Sequence, residues 1–406
     1  MNVEQLVRET FQEISEQEPA AAPPGLADRV LRVRRRRRAR ALTGTAVAVA
    51  AVLAVVLAIP AAETGGGERN GVADRTAVQD VLAHPDQSPP RELIAAGDVA
   101  MSAYTTLART KLPNGDVMIA RGWNLYNPSE ERYEKTDWAW ADVAPRLHTA
   151  AVLEGPLPSK RVGILDLATG EVERWIELDR GAAAVSWSPD GSRLLATTYS
   201  GNPDRLSKED GVDTYGRTEP GPVPSRTGYF VIDAESGAGA GADEWVSLPF
   251  EKGSLNGRED VRWSADGTHV FVYGATDDGK AFYDLEGRET DAPPGEGLDV
   301  YSHAGRSPDG RLAAGEFAGE GEVEVATEVL DAKTGKRVAK QPVQQLLAWA
   351  DDDRLLAWGC DPKCEGSGEF YQQLLLVDVE GTRVQPLTGF RDSRKAGSWE
   401  PVFTRR

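Results

Sequence analysis

The residues in this chain that could do chemistry are few and mostly repeat. Two cysteines, Cys360 and Cys364, flank Asp361-Pro362-Lys363. A pair so close suits a local disulfide that pins a loop, provided the segment lies in an oxidising compartment. Tetrahedral zinc needs two further ligands, and His84, His148, His269 and His303 show neither paired spacing nor proximity to the cysteines. No metal and no cofactor is expected. Carboxylates recur as Asp190, Asp266 and Asp309, each followed by glycine. Asp-Gly after an apolar run is turn chemistry, because the carboxylate bonds its own backbone and the glycine takes positive φ. These aspartates are read as structural, not catalytic. Paired acids for glycoside hydrolysis would come together only in space. A serine hydrolase would carry Gly-x-Ser-x-Gly, which the sequence lacks. The chain is therefore read as not an enzyme, with a carboxylate-dependent carbohydrate-active enzyme as the remote alternative.

The turns belong to a repeat. Trp187-Ser188-Pro189-Asp190-Gly191 precedes an apolar run from Arg193, and Trp263-Ser264-Ala265-Asp266-Gly267 precedes one from His269. Arg306-Ser307-Pro308-Asp309-Gly310 and Trp349-Ala350-Asp351-Asp352-Asp353 are eroded copies. Trp140-Ala141-Asp142 reads as a further copy, and Trp399-Glu400-Pro401-Val402-Phe403 as a terminal half copy. From Trp140 onward the anchors are separated by 47, 76, 43, 43 and 50 residues. That is the period of a four-stranded blade. The long interval holds Gly201 to Arg226, a polar stretch rich in glycine and proline, read as a loop insertion. A second turn, Asp-x-x-x-Gly or Asp-x-x-Gly, recurs at Asp166, Asp233, Asp284, Asp331 and Asp378.

These paired turns resemble the repeat of TolB-like, or WD-repeat-like, β-propellers over roughly residues 100–406. The resemblance implies an all-β fold of about six four-stranded blades and says little about activity. Tyr104 to Ala108, Val117 to Arg121 and Trp123 to Tyr126 read as early strands that complete the blade begun by the last strand, closing the ring. In such a blade the tight turns share one end. The variable segments Gly201 to Arg226, Thr276 to Lys280, Gly315 to Glu322 and Cys360 to Gly368 share the other, where a ligand is expected.

Upstream of the repeat, residues 41–60 carry no charge and follow Arg34 to Arg38 and Arg40. Twenty residues at 1.5 Å rise span a bilayer core, and the arginines hold that flank in the cytoplasm. The expected organisation is a cytoplasmic amphipathic and Arg-rich segment at 1–40, a single transmembrane helix at 41–60, a linker at 61–97 and a β-propeller at 98–406. The cell membrane would then carry the propeller on its extracytoplasmic side.

Charge follows this division. The net −18 splits into +3 for residues 1–40 and −21 for residues 61–406, a balance that argues against nucleic acid as a partner. Val3, Leu6, Val7, Phe11 and Ile14 recur at helical spacing, so residues 1–18 could meet a cytoplasmic protein. The arrangement resembles the cytoplasmic tails of actinobacterial single-pass proteins, some of them anti-sigma factors, although the zinc-binding His and Cys pairs of the zinc type are absent. The expected function is a membrane-tethered binding or sensing module for an envelope protein, peptide or glycan. The alternative is a transmembrane signalling partner acting through the N-terminal helix.

Overall fold

A computed structural model describes residues 80–214, 217–249, 258–273, 279–293, 296, 304–319, 325–361 and 370–406. The expected cytoplasmic segment, transmembrane helix and linker as far as residue 79 lie outside the described residues, as does Cys364. Among the described residues there is no α-helix, a 3-10 turn covers Ala242–Glu244, and no helix is long and apolar enough to cross a membrane.

Antiparallel strands follow one another in six units. In blade 2, Trp140–Val143, Thr149–Leu153 and Ser159–Asp166 pair in order, and Ser159–Asp166 then pairs with the first half of the long strand Val172–Trp187. The second half of that strand is the innermost strand of blade 3, paired with Arg193–Tyr199, then Arg226–Asp233 and Val246–Ser247. Blade 4 comprises Arg262–Trp263, Val270–Tyr273, Lys280–Tyr283 and Glu289–Thr290. In blade 5, Leu312–Phe317, Thr327–Asp331 and Arg337–Gln341 are joined on the inner side by the bridge Arg306 to Ala313. Blade 6 comprises Gln345–Trp349, Arg354–Gly359, Tyr371–Asp378 and Val384–Pro386.

Blade 1 joins the two ends of this unit. Trp399–Arg405 pairs with Val99–Lys111 from Trp399 opposite Thr106 to Arg405 opposite Val99. Val99–Lys111 pairs in turn with Val117–Asn127, and that strand with Arg132–Thr136. The last strand of the chain is thus the innermost strand of the first blade, and the circle of sheets closes. Two expectations need correction. Val117 to Arg121 and Trp123 to Tyr126 form one continuous strand, and the outer strand is Arg132–Thr136. Residues 80–97 are also not a tether. Val81–Leu82 pairs with Ala95–Ala96, Ile94 is 1% exposed, and Asp80 pairs with Arg354 at 2.7 Å. Burial of Ile94, Ala95 and Ala96 outweighs the proline and charge content that suggested a linker.

Stacking of blade on blade explains why central strands are apolar on both faces. Consecutive residues of a strand point to opposite faces. Leu194 therefore packs with Ile164 and Phe230 between blades 2 and 3, while Leu195 packs with Tyr229 and Val270 between blades 3 and 4. Leu355 and Leu356 divide in the same way, toward blade 5 and blade 1. Each such leucine, at 0 to 1% exposure, contributes about 1.5–3 kcal/mol by burial.

A channel through the ring and its ionic rim

The tight turns place their carboxylates away from any reacting centre. Asp190 accepts the Ser188 hydroxyl at 2.6 Å and the Ser192 amide at 3.0 Å, and these donors hold its pKa down at about 2. Gly191 takes φ 75° with Pro145 packed against it, a conformation that costs a residue with Cβ. The turns at Asp266-Gly267 and Pro308-Asp309-Gly310 repeat the bonds, through Ser264 and Ser307. The Arg311 amide and the Ser307 hydroxyl hold Asp309 at about 2.

The motif tryptophans end their innermost strands and reach backward around the ring. Trp187 Nε1 donates to the Asp142 carbonyl at 3.1 Å, Trp263 Nε1 to Ser186 at 3.3 Å, and Trp349 Nε1 to Gly305 at 3.1 Å. Each indole therefore staples one blade to the preceding one. Trp140 is not a copy of them. Its turn aligns by hydrogen bonds, Ala144 amide to Thr149 carbonyl as Ser188 amide to Arg193 carbonyl. The counterpart of Trp187 in blade 2 is consequently Val143. Trp140 lies three residues earlier in its strand and donates forward to the Val185 carbonyl at 2.9 Å. Trp399 likewise opens its strand instead of ending it.

The innermost strands of all six blades border one cavity of about 1250 Å³, touched by Val402, Ala141, Val185, Val261, Gly305 and Leu347. Such a channel is what a closed circle of blades leaves on its axis. The fold is a β-propeller. No family model matches the chain, and no curated protein matches it. Among solved structures it is similar to TolB from Acinetobacter baumannii, at 14% identity over 77% of this chain and 68% of that one, with a TM-score of 0.39. It is also similar to a chain of the mitotic checkpoint complex, at 14% identity over 88% of this chain and 99% of that one, TM-score 0.35. A third is the Cps50 (Swd1) β-propeller domain of Myceliophteria thermophila, at 10% identity over 73% and 89%, TM-score 0.32. Strand pairing and channel, not these likenesses, carry the assignment.

At the mouth where the innermost strands begin, an ionic cluster forms the rim. Arg258 grips Asp204 with Nε at 3.0 Å and Nη2 at 2.6 Å, and its Nη1 reaches Asp260 at 3.1 Å and the Ala183 carbonyl at 3.0 Å. Tyr199 donates to Asp260 at 2.8 Å, and Arg121 approaches Asp204 at 3.4 Å. Both guanidinium groups lie over the Trp140 ring, at 4.3 and 5.2 Å from its centroid. Burial pulls the Arg258 pKa down, but Asp260 and Asp204 outweigh it and the group is held charged. Burial pushes the Tyr199 phenol up, so it stays a donor.

Asp204 comes from the insertion at Gly201 to Arg226. Instead of a plain loop, that segment forms the hairpin Arg205–Thr214 and Arg217–Pro222, joined to Val117–Asn127 through Arg205 opposite Met118 and Leu206 opposite Val117. The hairpin thus crosses from blade 3 to blade 1, where Asp116 accepts the Lys208 amide at 2.9 Å and Arg205 Nε at 2.8 Å. Composition gave no sign of this docking, since the partners are distant in sequence.

Deeper in the channel, Asp142 accepts the Trp187 amide at 2.7 Å, and burial pushes its pKa up to about 7. Arg262 is exposed on the innermost strand of blade 4 and makes no ion pair among the described residues, its nearest ring being Tyr273 at 5.5 Å. Cys360 is 8% exposed, just beyond the strand Arg354–Gly359. Among the described residues no cluster of His, Cys, Asp and Glu could hold a metal.

Proposed function

We propose that this chain is a membrane-tethered, extracytoplasmic binding or sensing module whose propeller takes an envelope protein, peptide or glycan at the ionic mouth of its channel. Residues 41–60 serve as the single-pass anchor, with residues 1–40 in the cytoplasm. The observation that carries the reading is the channel itself. It is large enough to admit an extended peptide or a sugar chain, and Arg262 projects into it from an otherwise strongly acidic domain. Binding is favoured over catalysis because the rim carboxylates of Asp204 and Asp260 are already occupied by Arg258, Arg121 and Tyr199. A bridge from Cys360 to Cys364 fits the oxidising side and pins a loop on that face.

Site-specific photo-crosslinking in the cells that make the full chain tests the reading. A photoreactive side chain replacing Leu347, which borders the channel, should trap one envelope protein or glycan, whereas one replacing Lys336 in an outer turn should not. Equal adducts from both sites, or none from Leu347, would remove the channel as the binding seat. A reporter fused after Arg406 that is active only in the cytosol would remove the tether. Alkylation of Cys360 and Cys364 without prior reduction would remove the disulfide.

A further inference from the structure

The hairpin of blade 1 outgrows its ring. Pairing with Trp399–Arg405 stops at Thr106, but pairing between Val99–Lys111 and Val117–Asn127 continues to Lys111 opposite Val117. Residues 107–111 therefore form an edge that extends past the innermost strand at the channel mouth. On its far side the same sheet ends in Arg217–Pro222, where Pro220 and Pro222 lack an N–H and blunt the edge. The near edge has no proline.

Its hydrogen-bonding direction can be derived. The Ile119 amide donates to the Asp204 carbonyl at 2.9 Å, so the main chain of Ile119 points away from Val99–Lys111. Directly opposed residues of an antiparallel pair point both inward or both outward. Arg109, opposite Ile119, must then direct its own N–H and C=O outward, and by alternation so do Leu107 and Lys111. No described strand pairs with them on that side. Leu107 is 40% exposed, Arg109 and Lys111 are exposed, and neither makes an ion pair among the described residues. Residues 107–111 contain no acid.

We infer that residues 107–111 are a strand-addition site for an extended acidic peptide. The peptide extends the sheet through the outward groups of Leu107, Arg109 and Lys111, and its acids face Arg109 and Lys111. Charged edge residues discourage pairing with a second basic edge while leaving an acidic strand free to bind. The bound strand lies in line with Trp399–Arg405, at the mouth of the channel. This site stands apart from the proposed channel seat, since residues 107–111 do not border the cavity.

The test uses the full chain and a synthetic peptide alternating valine and glutamate, with a valine and lysine counterpart. The acidic peptide should bind and slow hydrogen exchange at the amides of Leu107, Arg109 and Lys111; the basic one should not. Arg109→Ala, which keeps the N–H, should weaken binding about threefold, and Arg109→Pro about tenfold further, the worth of a main-chain bond. Equal affinity of the two variants, unchanged exchange at the three amides, or equal binding of the basic peptide would overturn the site. Exchange in the unaltered chain keeps the test valid even if Arg109→Pro folds poorly. Leu347 crosslinking reads the channel and not this edge, so the two readings can fail separately.

Discussion

Asp204 and Arg258, 54 residues apart in the chain, meet in a two-pronged ion pair that fixes the insertion of blade 3 to the segment leading into blade 4. Both side chains are largely buried, at 9% and 13% exposure. The second end of the insertion is tied to the same approach, because buried Arg226 donates to the carbonyls of Leu248 and Glu259 at 3.0 Å. The rim is therefore held from both ends of a segment whose composition resembles a free loop.

Breaking the pair from one side leaves two largely buried carboxylates, Asp204 and Asp260, with Arg121 at 3.4 Å from Asp204 as the remaining counter-charge. Arg258→Met should cost about 3–5 kcal/mol by chemical denaturation, because Asp204 and Asp260 lose their shared cation. Proteolysis within Arg205–Thr214 should accelerate in the same variant. A loss below about 1 kcal/mol would mean that the rim is solvated and does not hold the insertion.

The raised pKa of Asp142 gives stability a pH dependence of defined sign. Between roughly pH 4 and 7 the folded chain keeps a proton that the unfolded chain has released. Stability should fall as pH rises through that window and level off above it. Asp142→Asn should abolish this contribution and raise stability at neutral pH by about 1–2 kcal/mol, a figure reduced for the water that reaches a channel residue. Thermal melts of both proteins across the window check the slope; parallel curves would refute it.

The tryptophan staples can be divided into packing and hydrogen bonding. Trp349 is 5% exposed and donates to Gly305. Trp349→Phe should cost about 1–2 kcal/mol, and Trp349→Ala about 3–5 kcal/mol with its cavity. No loss in Trp349→Phe would show that the staple bond contributes nothing, and equal losses in the two variants would show that the ring's packing contributes nothing.

Ring closure depends on the final strand. A chain ending at Ser398 lacks the partner of residues 99–106, exposing that edge and the channel side of Met101 and Ala103. It should aggregate or lose cooperative unfolding, with fast exchange at the amides of residues 99–106. Full cooperativity in the truncated chain would mean that blade 1 closes by other contacts.

The sequence by itself determined the repeating unit. Tryptophan, the Asp-Gly turns and the apolar runs between them are local chemistry, since a turn carboxylate bonds amides two or three residues away, as Asp166 does with Ala168 and Thr169 at 2.8 and 2.7 Å. Period and closing strand followed from counting those units. Trp140 misled because an indole beside an apolar run looks the same in either register, and only the turn bonds of Ala144 distinguish them. Residues 80–97 misled because burial of Ile94 requires blades that composition does not reveal.

What tertiary structure alone decided are the contacts made between blades. Asp204 reaches Arg258, Arg121 shares a ring with it, and Ile119 turns its amide toward the insertion, so that Arg109 faces outward. None of these pairs is close in sequence, and closing the ring is what brings them together. An ion pair or an open edge is a relation between strands, and no property of one strand contains it.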